Sequence, residues 1–109
     1  MPIVYIVNLA GHDFDSAKKF GEIKAVTKGN INLLRPDRDL YHIIEGLKEF
    51  NQEEDYLLLS GNVLANVMCI MSLIHQKVNL LNLLVYNAKN QDYVNHTLAL
   101  ADQLKFIRK

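Results

Sequence analysis

Three short stretches of this sequence hold residues able to grip an anion or move a proton. They are Asn8, Gly11, His12 and Asp13; Arg35, Asp37, Arg38 and Asp39; and Ser60, Gly61 and Asn62. Each stands just before a segment of helical pattern, where free backbone N–H groups and the helix dipole favour negative charge. Arg35 and Arg38 offer bidentate hydrogen bonds to a phosphate or carboxylate. Gly61 lets the backbone approach a ligand closely. Asn8, Gly11, His12, Arg35, Arg38, Ser60, Gly61 and Asn62 therefore form the candidate binding set for a nucleotide or another small anion. The competing account is structural. Asp, Ser and Asn before helices are caps worth roughly 1 kcal/mol each, glycine is ordinary turn chemistry, and Asp37 and Asp39 stand beside the two arginines as surface partners. Neither a G-x-G-x-x-G nor a G-x-x-x-x-G-K-[ST] run occurs.

Other reactive types give weaker patterns. His12 lies beside Asp13, a carboxylate that could orient it as a general base, although an exposed loop histidine with no such role is commoner. Asp13-Phe14-Asp15 has the form of a cation-holding or nucleophilic pair. It falls several residues past the first strand, however, and no further acidic cluster joins it, so two helix caps are the better reading. His12, His42, His75 and His96 share no zinc-ligand spacing, and Cys69 is the one cysteine. Cys69 sits among Met68, Ile70 and Met71 and reads as a buried thiol, not a nucleophile. Ser60 lacks the glycine two residues earlier that a nucleophile elbow needs. No catalytic residue, metal or cofactor is expected, and an enzyme using His12, Asp13 or Ser60 has the least support.

The elements that must place these residues follow from hydrophobic period. Ile3–Val7 is a run of β-branched and aromatic residues, expected as a strand buried on both faces. Asp15–Phe20 reads as a short helix ended by Gly21, with a brief extended piece at Ile23–Val26. Ile31–Leu34 reads as the second strand, stopped by Arg35-Pro36. Leu40, Ile43, Ile44, Leu47 and Phe50 follow the i, i+3, i+4, i+7 rule of a helix from about Arg38 to Phe50. Tyr56–Leu59 is the next strand, Val63–His75 a helix, and Leu80–Tyr86 the last strong strand. Past Tyr86 two readings compete. Either Asn87–Asp92 is a hairpin loop and Tyr93–Leu98 an antiparallel edge strand, or Tyr93–Ile107 is a helix; the hairpin is favoured.

This alternation of strand and helix predicts a single α/β domain over residues 1–109: a small three-layer sandwich on a mainly parallel, Rossmann-like sheet with an antiparallel edge strand. Right-handed crossovers would gather the strand-to-helix loops at one sheet edge, where open α/β sheets bind ligands.

The chain has 109 residues, half of them hydrophobic and 22% charged, with equal numbers of acidic and basic side chains. That balance argues against disorder and against a phosphate-backbone binder. Tyr5, Tyr41, Tyr56, Tyr86 and Tyr93 form no stacking ladder for nucleic acid. One cysteine, no signal pattern and no apolar run of spanning length predict a cytoplasmic protein with no membrane contact. The Val63–His75 helix is apolar almost all round, with Asn66, Ser72 and His75 as its polar breaks. Its surplus must be covered by the C-terminal tail or by a second subunit, and Val67, Met68, Met71 and Ile74 are the candidate interface residues.

The stretch from Tyr56 to Tyr93 joins an LLLSGN strand end and apolar helix to a strand that ends in an aromatic, a polar turn and a tyrosine. In this it resembles short, uncharacterised bacteriophage α/β proteins over about a third of the chain. The resemblance implies an accessory protein acting in the cytoplasm of a bacterial host, and assigns no catalytic residue. The combined expectation is a non-enzymatic domain that binds itself or a partner protein. The alternative is a Rossmann-like module binding a nucleotide or other small anionic ligand at its loops.

Overall fold

A run of β-branched and aromatic residues, buried on both faces from Val4 to Asn8, produces β1 at Ile3–Asn8, an interior strand of the sheet. A computed structural model describes residues 1–9, 14–28 and 36–99. After β1 come a 3-10 helix at Asp15–Phe20, β2 at Glu22–Thr27, α1 at Pro36–Leu47 and β3 at Tyr56–Leu58. α2 at Val63–His75, β4 at Leu80–Asn87 and β5 at Asp92–Ala99 complete them. The sheet order is β2-β1-β3-β4-β5. β1 runs parallel to β2 and β3, β3 parallel to β4, and β5 returns antiparallel to β4. The sheet is therefore mixed, and the expected antiparallel edge strand is present.

Successive strand residues point to opposite faces, and this splits the core in two. Tyr5, Val7, Leu57, Leu81 and Leu83 meet Ile43 and Leu47 of α1 and Met68, Cys69 and Leu73 of α2. Val4, Ile6, Leu58, Leu84 and Tyr93 meet Phe14 and Ala17 at the 3-10 helix. The chain leaves β1 toward β2 but leaves β3 toward β4, the opposite way along the sheet. Connections of one hand must then lie on opposite faces, as they do.

The three-layer expectation needs correcting on this point. Both α-helices share one face, and among the described residues the other face carries only the six-residue 3-10 helix. The strand beside β1 also differs from expectation. It is Glu22–Thr27, expected only as a brief extended piece; its half-buried pattern hides it from an apolar-run reading. Ile31–Leu34 lies outside the described residues. So does the tail from Leu100 on, although Asp92–Ala99 is strand and not the start of a helix.

The sheet is tied below by Asp55, a buried carboxylate. Its Oδ1 accepts from the Ile3 N–H at 2.9 Å, and its Oδ2 accepts from the Asn51 N–H at 2.8 Å. Burial raises the Tyr5 hydroxyl above its ordinary pKa, with the negative charges of Asp55 and Glu49 adding to the effect.

Candidate functional site

The strand order reverses between β1 and β3, so the crevice at their C-terminal ends is where a ligand would be sought in an open α/β sheet. Two of the three sequence-predicted loops meet there. The Ser60 Oγ accepts from the Asn8 N–H at 3.1 Å and donates to the Asn8 carbonyl at 2.8 Å. The β1–β3 register pairs Val4 with Tyr56 and Ile6 with Leu58, so Ser60 falls opposite Asn8 and its hydroxyl replaces a ladder step. Gly61 follows with φ +74°, and a Cβ there would stand 2.9 Å from the Asn8 Cβ. Both the backbone and the close approach require glycine.

Asn62 then caps α2. Its Oδ1 accepts from the Leu64 N–H at 2.7 Å and the Ala65 N–H at 3.3 Å. Asn66, one turn into the helix, holds the loop from inside. Its Oδ1 accepts from the Ser60 N–H at 3.0 Å, and its Nδ2 donates to the Ser60 and Asn62 carbonyls at 3.1 and 2.8 Å. Asn66 was not among the expected site residues, yet the signal was present: a polar break four residues after the cap in an otherwise apolar helix. The Ser60 hydroxyl and the Asn62 oxygen are thus taken up by the fold itself, as are N–H groups of α2's first turn that an anion would need.

The rest of the candidate set is not gathered here. Arg38 is exposed in the first turn of α1. Gly11, His12, Asp13 and Arg35 lie outside the described residues. Asp15 pairs with Lys18 at 2.8 Å on the surface. Among the described residues no three His, Cys, Asp or Glu side chains come together as a metal site.

A second candidate region is the outer surface of the helices. Val63, Val67, Met71 and Ile74 form one row along α2, exposed by 77%, 45%, 57% and 52%. Of the four expected interface residues, Met68 is corrected. It is buried and packs in the core between the helices and the sheet, because one step of about 100° turns it inward from Val67. Tyr41 and Ile44 of α1 are exposed as well. Ile44 was expected on the buried stripe; it lies instead at the rim of a cleft of about 270 Å³ lined by Leu40, Ile44, Met71, Ser72 and His75. The Ser72 Oγ is buried with no hydrogen-bond partner among the described residues. Cys69 is buried, and loss of water pushes its thiol up to about 12.

No helix among the described residues is long and apolar enough to cross a membrane. Neither a curated protein nor a solved structure matches the chain. The family described as phage Pam3 gp32-like protein matches residues 2–100, which takes in every strand and helix among the described residues. The resemblance to phage proteins carried by Tyr56–Tyr93 thus extends along nearly the whole sequence, and this chain belongs to the phage Pam3 gp32-like protein family.

Proposed function

We propose that this chain is a phage-encoded accessory protein of the host cytoplasm that works by protein contact, pairing with a second copy of itself through the outer face of α2. The observation that carries the reading is the exposed row Val63, Val67, Met71 and Ile74 on a helix with no charged residue from end to end. With Tyr41 and Ile44 of α1 alongside, the apolar patch is on the order of several hundred Å², at the upper end of what monomers leave to water. A two-fold interface must be complementary to itself. An uncharged apolar row meets that condition, because no like charges oppose each other when two copies face. The equal count of acidic and basic residues leaves little long-range repulsion to overcome.

The test is mass in solution by light scattering or sedimentation. Wild type is expected at twice the chain mass, and the double variant Val67→Lys with Met71→Lys at the chain mass with unchanged circular dichroism. A wild-type monomer at the highest attainable concentration overturns the reading.

One observation favours a second reading, a Rossmann-like module for a small anionic ligand. The reversal of strand order puts Asn8 and Ser60 where such ligands sit, with Arg38 exposed at the start of the neighbouring helix. Thermal shift against nucleotides and simple anions separates the two. A shift abolished by Arg35→Ala or Arg38→Ala supports the module, and none from any compound removes it.

A further inference from the structure

β5 closes one side of the sheet and, among the described residues, has a strand neighbour only in β4. From Tyr93 to Ala99 it contains no charged residue, proline or glycine. Those are the devices that ordinarily keep an edge strand from pairing with foreign backbone. Its outer N–H and C=O groups are a template for one more strand.

The surface beside that edge has a definite chemistry. Val85 and Val94 sit opposite each other across β4 and β5, on the face to which Leu81 and Leu83 also point, and both stay partly exposed. They line an open depression of about 440 Å³ together with Asn87, Lys89 and His96. Lys89 and His96 are exposed, and neither joins an ion pair among the described residues. The hairpin's own carboxylate, Asp92, is held by Lys19 of the 3-10 helix. The turn that bears Lys89 is fixed, since the Lys89 N–H donates to the Asn87 Oδ1 at 3.0 Å. The depression thus combines an apolar floor with the uncompensated positive charge of Lys89 at its turn end.

Direction selects the occupant. A strand that adds antiparallel to β5 runs the same way as β4. Its C-terminus therefore arrives at the 88–91 turn, where Lys89 stands. We infer that this edge receives the C-terminal segment of a partner protein. The segment extends the sheet along β5, lays an apolar side chain beside Val94, and brings its terminal carboxylate to Lys89. Backbone pairing supplies the affinity, and the floor and the cation select an apolar, free C-terminus. This site is separate from the α2 face and does not depend on it.

The experiment uses the full chain and two fluorescent hexapeptides of alternating threonine and valine ending in valine, one with a free terminal carboxylate and one amidated. By anisotropy the free acid is expected to bind saturably and at least about fivefold tighter than the amide, as a charge-assisted hydrogen bond requires. Lys89→Gln should bring the acid down to the affinity of the amide without lowering Tm, and Val94→Lys should abolish binding of both. Amide NMR shifts on adding the acid should centre on β5. Equal binding of acid and amide, no saturable binding, or shifts centred elsewhere overturns the inference. Repeating the titration on Met71→Lys keeps the outcome independent of self-association.

Discussion

Ser60 and Asn8 are joined by both lone-pair and proton of one hydroxyl: the Ser60 Oγ accepts from the Asn8 N–H and donates to the Asn8 carbonyl. This single side chain closes the gap between β1 and β3 at the point where strand order reverses. Ser60→Ala would leave two buried main-chain groups of Asn8 without these partners. We expect a loss of about 1–3 kcal/mol, read as a lower urea midpoint at unchanged m-value. Gly61→Ala should cost at least about 1–2 kcal/mol, because φ +74° is unfavourable for an L residue and the added Cβ meets Asn8. If Ser60→Ala unfolds at the wild-type midpoint, the brace is not a stability element.

The other end of α2 is strained in a correctable way. Lys77 has φ +68°, and the Lys77 and Val78 N–H groups donate to the carbonyls of Ile74 and Leu73. This is the left-handed closure that glycine makes at least cost. Lys77→Gly should therefore stabilise the protein, by about 0.5–1 kcal/mol. Its thermal midpoint should rise, and a fall would mean that the lysine side chain makes a contribution the geometry does not account for.

Lys19 clamps the 3-10 helix to the β4–β5 hairpin through Asp92. The Lys19 hydrogen bond, and then the Tyr93 N–H, hold the Asp92 carboxyl below its ordinary pKa of 3.8. A carboxyl depressed in the folded state contributes stability that is present above its unfolded pKa and lost as pH falls through the folded value. Asp92→Asn should flatten the acid limb of the stability curve below about pH 4 and leave the limb above neutrality alone. Lys19→Met should do the same. Unchanged acid limbs in both variants would dismiss the clamp.

The sequence made the strands at Ile3–Val7, Tyr56–Leu59 and Leu80–Tyr86 legible because continuous apolar runs bounded by polar turns have few other uses. The hairpin past Tyr86 was legible only in part, because Tyr93–Leu98 is no apolar run and left a helix open; the pairing of Tyr93 and Val94 with Tyr86 and Val85 decides for the strand. β2 was not. A half-exposed strand such as Glu22–Thr27 has neither an apolar run nor a clean alternation, and what fixes it is its pairing with β1. At the candidate site, Ser60, Gly61 and Asn62 were found by type and position. What no local pattern reveals is that their polar atoms already serve one another and Asn8. That is decided by contacts 52 residues apart.

Cys69 tests whether the core around α2 is closed. Its thiol is buried and pushed up to about 12, so at mild pH almost none is thiolate and none is accessible. Reaction with a disulfide reagent at pH 8 should be slow in native buffer and should speed up with added urea in step with unfolding. Fast single-phase labelling of the folded protein would mean that α2 opens locally at low cost.

Met68 and Met71 separate the two roles of α2. Met68 is buried in the core, whereas Met71 stands in the exposed row, so removing each side chain should be felt by different measurements. Met68→Ala removes atoms from a packed interior and should cost about 2–4 kcal/mol of folding stability. Met71→Ala should change the stability of the isolated chain by less than about 0.5 kcal/mol. Its effect belongs on association: the dissociation constant measured by sedimentation should rise severalfold, because an apolar side chain at the middle of the proposed contact is lost. Met68 lies too deep to touch a partner, so Met68→Ala should shift association only as far as it unfolds the chain. If Met71→Ala instead weakens folding as much as Met68→Ala and leaves the mass in solution untouched, the outer row is part of a core and not a face for a second copy.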